Sequence, residues 1–249
     1  MQRYFASYSP ENHCFIITGE DCHHISKVMR MKEKDEILCV SEDQKTAVCS
    51  IAEISTDQVI ADVIQWKEES VELPVQVTIV SGLPKGDKFE WIIQKGTELG
   101  ASKFIPFTAD RSVVKWDGKK ADKKIIRWQK IAKEAAEQSH RTVIPEITQP
   151  VNLSSLLKYA EGYDVKLVAY EEEARLGEVK VLVSSLNELE KGGSLLVLFG
   201  PEGGLSTGEV EKLIAGGFRP CGLGPRILRT ETAPLYLLSA VSYHLELLR

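Results

Sequence analysis

The chain has 249 residues, 31 Lys+Arg against 36 Asp+Glu, and 43% hydrophobic residues. That length fits one large or two modest domains, and the apolar fraction excludes a disordered chain. A net charge of −5 argues, taken as a whole, against a nucleic-acid partner.

The charge is unevenly spread. Arg111 to Arg141 holds ten basic and four acidic residues, a local +6 that leaves −11 elsewhere. Such a segment is either a phosphate footprint or a solvated helix face, and charge alone does not decide between them. Cys14, Cys22, Cys39, Cys49 and Cys221 form no CxxC pair, which predicts free thiols in a reducing, cytoplasmic setting. Cys22-His23-His24 lacks a second ligand cluster, so no metal is expected. Met1–Ala6 carries no leader-like apolar run. Thr232–Leu245, the uncharged stretch near the C-terminus, is shorter than the roughly 20 residues a membrane helix needs. No membrane partner is expected.

In chain order, residues 1 to about 70 read as short strands at roughly ten-residue spacing: 14–18, 36–40, 46–54 and 59–66. This pattern predicts a small β-barrel or sandwich. One helix, Asp21–Met31, interrupts it, with Asp21 as N-cap. The domain boundary is placed near Glu68 to Leu73, where Lys67-Glu68-Glu69-Ser70 is polar and Pro74 opens a different regime. Strands are predicted at 75–80, 103–107, 165–170 and 195–199. Helices are predicted at 89–99 (ended by Gly100), 119–139, 153–160, 179–189, 209–214 and 234–248. Strands buried on both faces and alternating with helices imply a parallel α/β sheet. The predicted domains are therefore 1–70 and 74–249.

Three segments of the second domain could carry chemistry. Leu195 to Gly204 runs a buried strand into FGPEGG, and Ser206-Thr207-Gly208-Glu209 has capping-box spacing for a following helix. Ligands of open α/β sheets bind at such strand ends. The loop has neither GxxxxGK nor GxGxxG, so a phosphate cradle is not indicated. A tight strand-to-helix turn would look the same. Gly222 to Ala233 gathers glycines, Arg226, Arg229, Glu231 and hydroxyls before an apolar helix. It is either a functional loop or a connection held by an Arg229–Glu231 ion pair. Gln94 to Gly100 reads most simply as a helix end capped by glycine. The last helix is apolar on nearly every side, with Leu235, Tyr236, Leu237, Leu238, Val241, Tyr243 and Leu245. One face serves its own core and the other calls for a partner surface.

QKGTELG, RSVVKW, EAAEQSHR, FGPEGG and LGPRILRTETA occur in this order. Together they resemble the bacterial 16S ribosomal RNA uridine-N3 methyltransferases of the SPOUT superfamily. The resemblance spans nearly the whole chain. It implies an N-terminal PUA-like β-barrel that binds RNA and a C-terminal SPOUT α/β knot, a parallel sheet whose last segments thread as a deep trefoil. It also implies a homodimer through the C-terminal helix and a uridine of 16S rRNA as substrate, presented by the assembled small ribosomal subunit.

The implied cofactor is S-adenosyl-L-methionine, held by Leu198, Gly200, Pro201, Glu202, Gly203 and Gly204 and by Leu223, Gly224, Leu228, Thr230 and Ala233. A preceding loop near Tyr170-Glu171 would complete the site, and a branched side chain at Gly203 would fill the ligand's space. Uracil N3 lies on the Watson–Crick edge, so the base must be unpaired and pocketed before transfer. Glu231 is the expected base for its proton, directly or through water. Arg229 is expected to stabilise the charge spreading onto the uracil oxygens. The residues expected to contact RNA are Arg3, His24 and Arg30 of the barrel and Arg111, Lys123, Lys124, Arg127 and Arg141 of the basic segment. Two other readings share these motifs: a SPOUT enzyme with a different RNA target, and a ribosome-assembly factor that binds RNA without catalysis. A nucleotide-dependent enzyme would need a phosphate-binding motif that is missing.

Overall fold

The computed structural model describes residues 1–68, 70–112, 118–172 and 180–248. Val113 to Trp116 of RSVVKW, and residue 179 at the start of a predicted helix, lie outside the described residues, as do the side chains of residues 118–120. The chain divides into two units, Met1–Glu72 with Ala136–Val143, and Leu73–Ala135 with Ile144–Arg249. The short return of Ala136–Val143 to the first unit is not marked by any composition shift in the sequence. Among the described residues no helix is long and apolar enough to cross a membrane.

The first unit is a six-stranded sheet among the described residues. Its strands are β1 (Arg3–Phe5), β2 (Ser7–Ser9), β3 (Cys14–Thr18), β4 (Glu36–Val40), β5 (Thr46–Ile54) and β6 (Gln58–Lys67), ordered β1-β4-β5-β6-β3-β2. All neighbours are antiparallel except β1, which runs parallel to β4. β1 and β2 are too short for periodicity to reveal. Phe15, Ile17, Ile37, Ile51 and Val59 point to one buried core with Ile25. Each such side chain contributes about 1.5–3 kcal/mol of burial. All five cysteines are free and buried.

The first helix corrects its expected start. α1 (Gly19–His23) begins after Thr18, with Asp21 inside the first turn rather than at the N-cap. Gly19 has φ +63°, which lets the chain turn sharply out of β3. Asp21 still favours the helix from there, as a negative charge near its positive end. A π-helical turn, His24–Val28, continues it.

The second unit holds β7 (Gln76–Gly82), β8 (Lys103–Phe107), β9 (Glu146–Ile147), β10 (Val165–Ala169), β11 (Ser194–Phe199) and β12 (Arg219–Cys221). Among the described residues they form one parallel sheet ordered β12-β10-β11-β7-β8-β9. Its helices are α2 (Lys88–Glu98), α3 (Gly118–Gln138), α4 (Leu153–Tyr159), α5 (Val181–Glu188), α6 (Thr207–Ala215) and α7 (Thr232–Ser242). β11 shows why the sheet is buried on both faces. Leu195, Val197 and Phe199 join a cluster with Phe89, Ile92, Leu237 and Leu238 of α2 and α7, whereas Leu196 and Leu198 join one with Leu156 and Leu213 of α4 and α6. A strand's period of two sends alternate residues to opposite layers. β7 and β11 lie side by side at the centre, and their chain connections leave in opposite directions. Parallel α/β sheets hold ligands at such a switch point, beyond the carboxyl ends of the strands.

Candidate functional site

A cavity of about 580 Å³ opens at those strand ends. The loops after β10, β11 and β12 form its walls, and Lys88, the first residue of α2, closes one side. FGPEGG and LGPRILRTETA, separated in sequence, therefore meet in space.

The β11 loop is locked into α6 by its own sequence. Ser206 accepts from the Glu209 N–H at 3.2 Å, and Glu209 Oε2 accepts from the Ser206 N–H at 2.7 Å, a complete capping box. Glu209 is buried, and its other oxygen accepts from the Asp110 N–H at 2.9 Å. Ser206 Oγ also donates to Asp110 Oδ2 at 2.9 Å. One carboxylate thus ties the loop after β8 to the loop after β11.

Of the expected cofactor residues, Gly200 to Gly204, Leu223, Leu228, Thr230 and Ala233 line the cavity, together with Tyr170 and Glu171. Leu198 does not: its side chain is fully buried against the α6 layer, and Phe199, one residue on, reaches the cavity instead. Gly224 does not line it either. Its φ of +86° makes the left-handed turn that presents Leu223 and Pro225. Gly203 lines the cavity and also packs on a neighbouring loop. A Cβ there would lie 3.3 Å from both Cβ and O of Arg111, so the glycine also makes room for the protein's own chain.

Arg229 and Glu231 both face the cavity. Arg229 is exposed, and its carbonyl accepts the N–H groups of Thr232 and Ala233 at 2.9 and 3.0 Å, opening α7. Glu231 sits 3.6 Å from Lys88 Nζ, and its Oε2 is buried without a hydrogen-bond donor among the described residues. Lys88 also donates to Glu202 Oε1 at 2.9 Å, which further accepts from the Lys85 N–H at 3.3 Å. Burial works to raise the Glu202 carboxyl, but Lys88 and the backbone N–H donors outweigh it and hold it below its usual range.

The residues expected on RNA differ in their surroundings. Arg30, Arg127 and Lys123 are exposed, and Arg30 holds a left-handed φ of +53°. Arg127 bonds Glu90 Oε2 at 2.7 Å, and Lys124 lies 3.3 Å from Glu90 Oε1, so both cations are partly neutralised by α2. Arg3 and Arg141 are corrected: both are buried. Arg141 pairs with Glu72 through Nε and Nη2, and Arg3 donates to the Arg141 carbonyl at 2.9 Å. Breaking a buried pair of this kind costs about 3–5 kcal/mol, which keeps these guanidinium groups inside. His24 Nδ1 is bonded to the Tyr4 hydroxyl at 3.0 Å. Arg111 lines the cavity and donates to the Gly203 carbonyl at 3.3 Å. Among the described residues no cluster of His, Cys, Asp and Glu could hold a metal.

Residues 71–242 match the RNA methyltransferase domain, and residues 17–64 match the RNA methyltransferase PUA domain. The ribosomal RNA small subunit methyltransferase E of Bacillus subtilis (strain 168) is 55% identical over 253 aligned residues, spanning all of this chain and 99% of that relative. The chain belongs to this family. The family member of Mycobacterium tuberculosis is 30% identical, covering 91% of this chain and 85% of its own. The family member from Neisseria gonorrhoeae, solved bound to S-adenosyl methionine, superposes with a TM-score of 0.83 at 25% identity over 97% of each chain. A protein from Legionella pneumophila, solved with its bound cofactor SAM, gives 0.84 at 29% identity over 96% of each chain.

Sequence reasoning missed Lys88, Gly82 and the Glu209–Asp110 tether. Lys88 follows a strand end that carries no glycine-loop motif, and only the parallel order of β7 and β11 brings it to the cavity.

Proposed function

We propose that the chain transfers a methyl group from S-adenosyl-L-methionine to N3 of one uridine in 16S rRNA of the small ribosomal subunit. The observation that carries this is the meeting of two glycine loops with Arg229 and Glu231 around one cavity. The donor set suits that cofactor. The volume lies in the range of small-molecule sites, about 300–1,000 Å³. Phe199, Ile227 and Leu228 offer apolar walls, glycines expose backbone edges for an adenine, and carboxylates suit a sulfonium cation. Lys88, the cation that a phosphate would seek, is engaged by Glu202.

When bound, the cofactor supplies an electrophilic methyl carbon, which accepts the N3 electron pair as its bond to sulfur breaks toward sulfur. The chain's own task is the proton and the charge. Glu231, which lines the cavity, takes the N3 proton. Arg229 faces the charge that develops on the uracil oxygens. Arg30 and Lys123 contact phosphates, and the RNA substrate implies a cytoplasmic location. The trefoil threading of the C-terminal segment and the homodimer belong to this reading. Tyr236, Tyr243 and Leu247 remain exposed on and after α7, opposite Leu237, Leu238 and Val241 in the core. Light scattering at micromolar concentration should give twice the chain mass; a monomer would remove the dimer from the account.

Isothermal titration with S-adenosylmethionine tests the cofactor assignment. Saturable one-site binding is expected. No heat at millimolar ligand would favour an RNA-binding assembly factor instead.

A further inference from the structure

We infer that Lys88 is a positioning residue that fixes the Glu231 carboxylate in the cavity wall by standing between it and Glu202. This rests on the methyl-transfer reading above and adds a residue that the motifs do not contain.

The geometry is specific. At 3.6 Å, Lys88 Nζ is too far from Glu231 Oε2 for a hydrogen bond but close enough for strong attraction. The oxygen is buried and has no hydrogen-bond donor among the described residues, so the Lys88 ammonium is the cation the structure sets beside it. A buried acceptor without a hydrogen-bond donor costs free energy, and the neighbouring ammonium offsets part of that cost. Meanwhile Lys88 bonds Glu202 at 2.9 Å. When N3 passes its proton to Glu231 and leaves a neutral carboxylic acid, the ammonium keeps a full partner in Glu202. The cation can therefore hold Glu231 in place before transfer without being stranded after it. Two carboxylates on the ammonium also hold it above its usual range, with the Glu202 bond the largest cause. Lys88 stays charged throughout.

The test uses the full chain, S-adenosylmethionine and small subunits lacking the modification, with single-turnover transfer, cofactor titration and melting measured together. Lys88→Met should lower the transfer rate about 10–100-fold at saturating reactants, part of the 10²–10⁴ that a general base contributes. Cofactor affinity should change less than about tenfold, because Glu202 keeps the Lys85 N–H. Lys88→Arg should recover most of the rate. In a Glu231→Gln background, Lys88→Met should cost nothing further, since the group it serves is gone. Full activity in Lys88→Met, additive losses in the double variant, or cofactor affinity falling in step with rate would each overturn the inference. If Lys88→Met fails to fold, Lys88→Gln carries the same comparisons. Should the unmodified chain transfer no methyl group at all, the functional reading fails first, and the two failures are thereby distinguished.

Discussion

Gly82→Ala should weaken S-adenosylmethionine binding about 10–100-fold while leaving a folded protein. Gly82 is the last residue of β7, beside the loop that leaves β11. A Cβ there would lie 2.4 Å from Pro201 N and 2.5 Å from Pro201 Cδ. Neither partner is the end of a flexible side chain, so the loop itself must move. Overpacking of this kind costs about 1–3 kcal/mol. The β7–β11 ladder is anchored along its length by pairs such as Val80 with Leu198, so the strain falls on Gly200 and Pro201. Those residues line the cavity. Each 1.4 kcal/mol lost from the bound loop conformation is a tenfold loss of affinity. Calorimetric titration measures it directly. Wild-type affinity in a folded variant would show that the loop's position does not matter to the cofactor.

Arg229→Ala should lower single-turnover methyl transfer by about 10²–10³-fold, the usual size for removing one charge-stabilising donor. The local structure predicts little loss of stability. Arg229 is exposed, and it opens α7 through its backbone carbonyl, which alanine retains. The Arg229–Glu231 pair that the sequence could have implied is replaced here by Lys88–Glu231. Removing the guanidinium therefore leaves Glu231 with its cation. Lysine should rescue little, because a point charge does not reproduce a planar fork. A variant that melts much earlier, or that loses cofactor affinity in step with rate, would make Arg229 a structural residue of the loop.

How far the sequence foretold this molecule varies by scale. β7, β8, β10 and β11 were legible because a buried parallel strand reads as a continuous apolar run. α6 was legible because Ser206 and Glu209 stand three residues apart. β1, β2, β9 and β12 were not, at two or three residues each. The loops were visible through their glycines, but the direction of each side chain was not. Leu198 and Phe199 differ by one residue and face opposite layers. Arg3 near the N-terminus and Arg141 at the end of the basic segment look like surface cations, yet Glu72, about 70 residues from either, draws Arg141 inside, and Arg3 follows it. Lys88 shows the same limit from the other side. A lysine at a helix start carries no signal until the strand order places it between Glu202 and Glu231.

The central claim is methyl transfer to uracil N3 in small-subunit RNA. Small subunits from cells lacking this gene should be incubated with the purified chain and S-adenosylmethionine, and the RNA then digested and read by mass spectrometry. The account predicts one new methyl group, on the N3 of a single 16S uridine. A methyl group on another nucleotide or another atom, or no methyl group in the presence of bound cofactor, would contradict it.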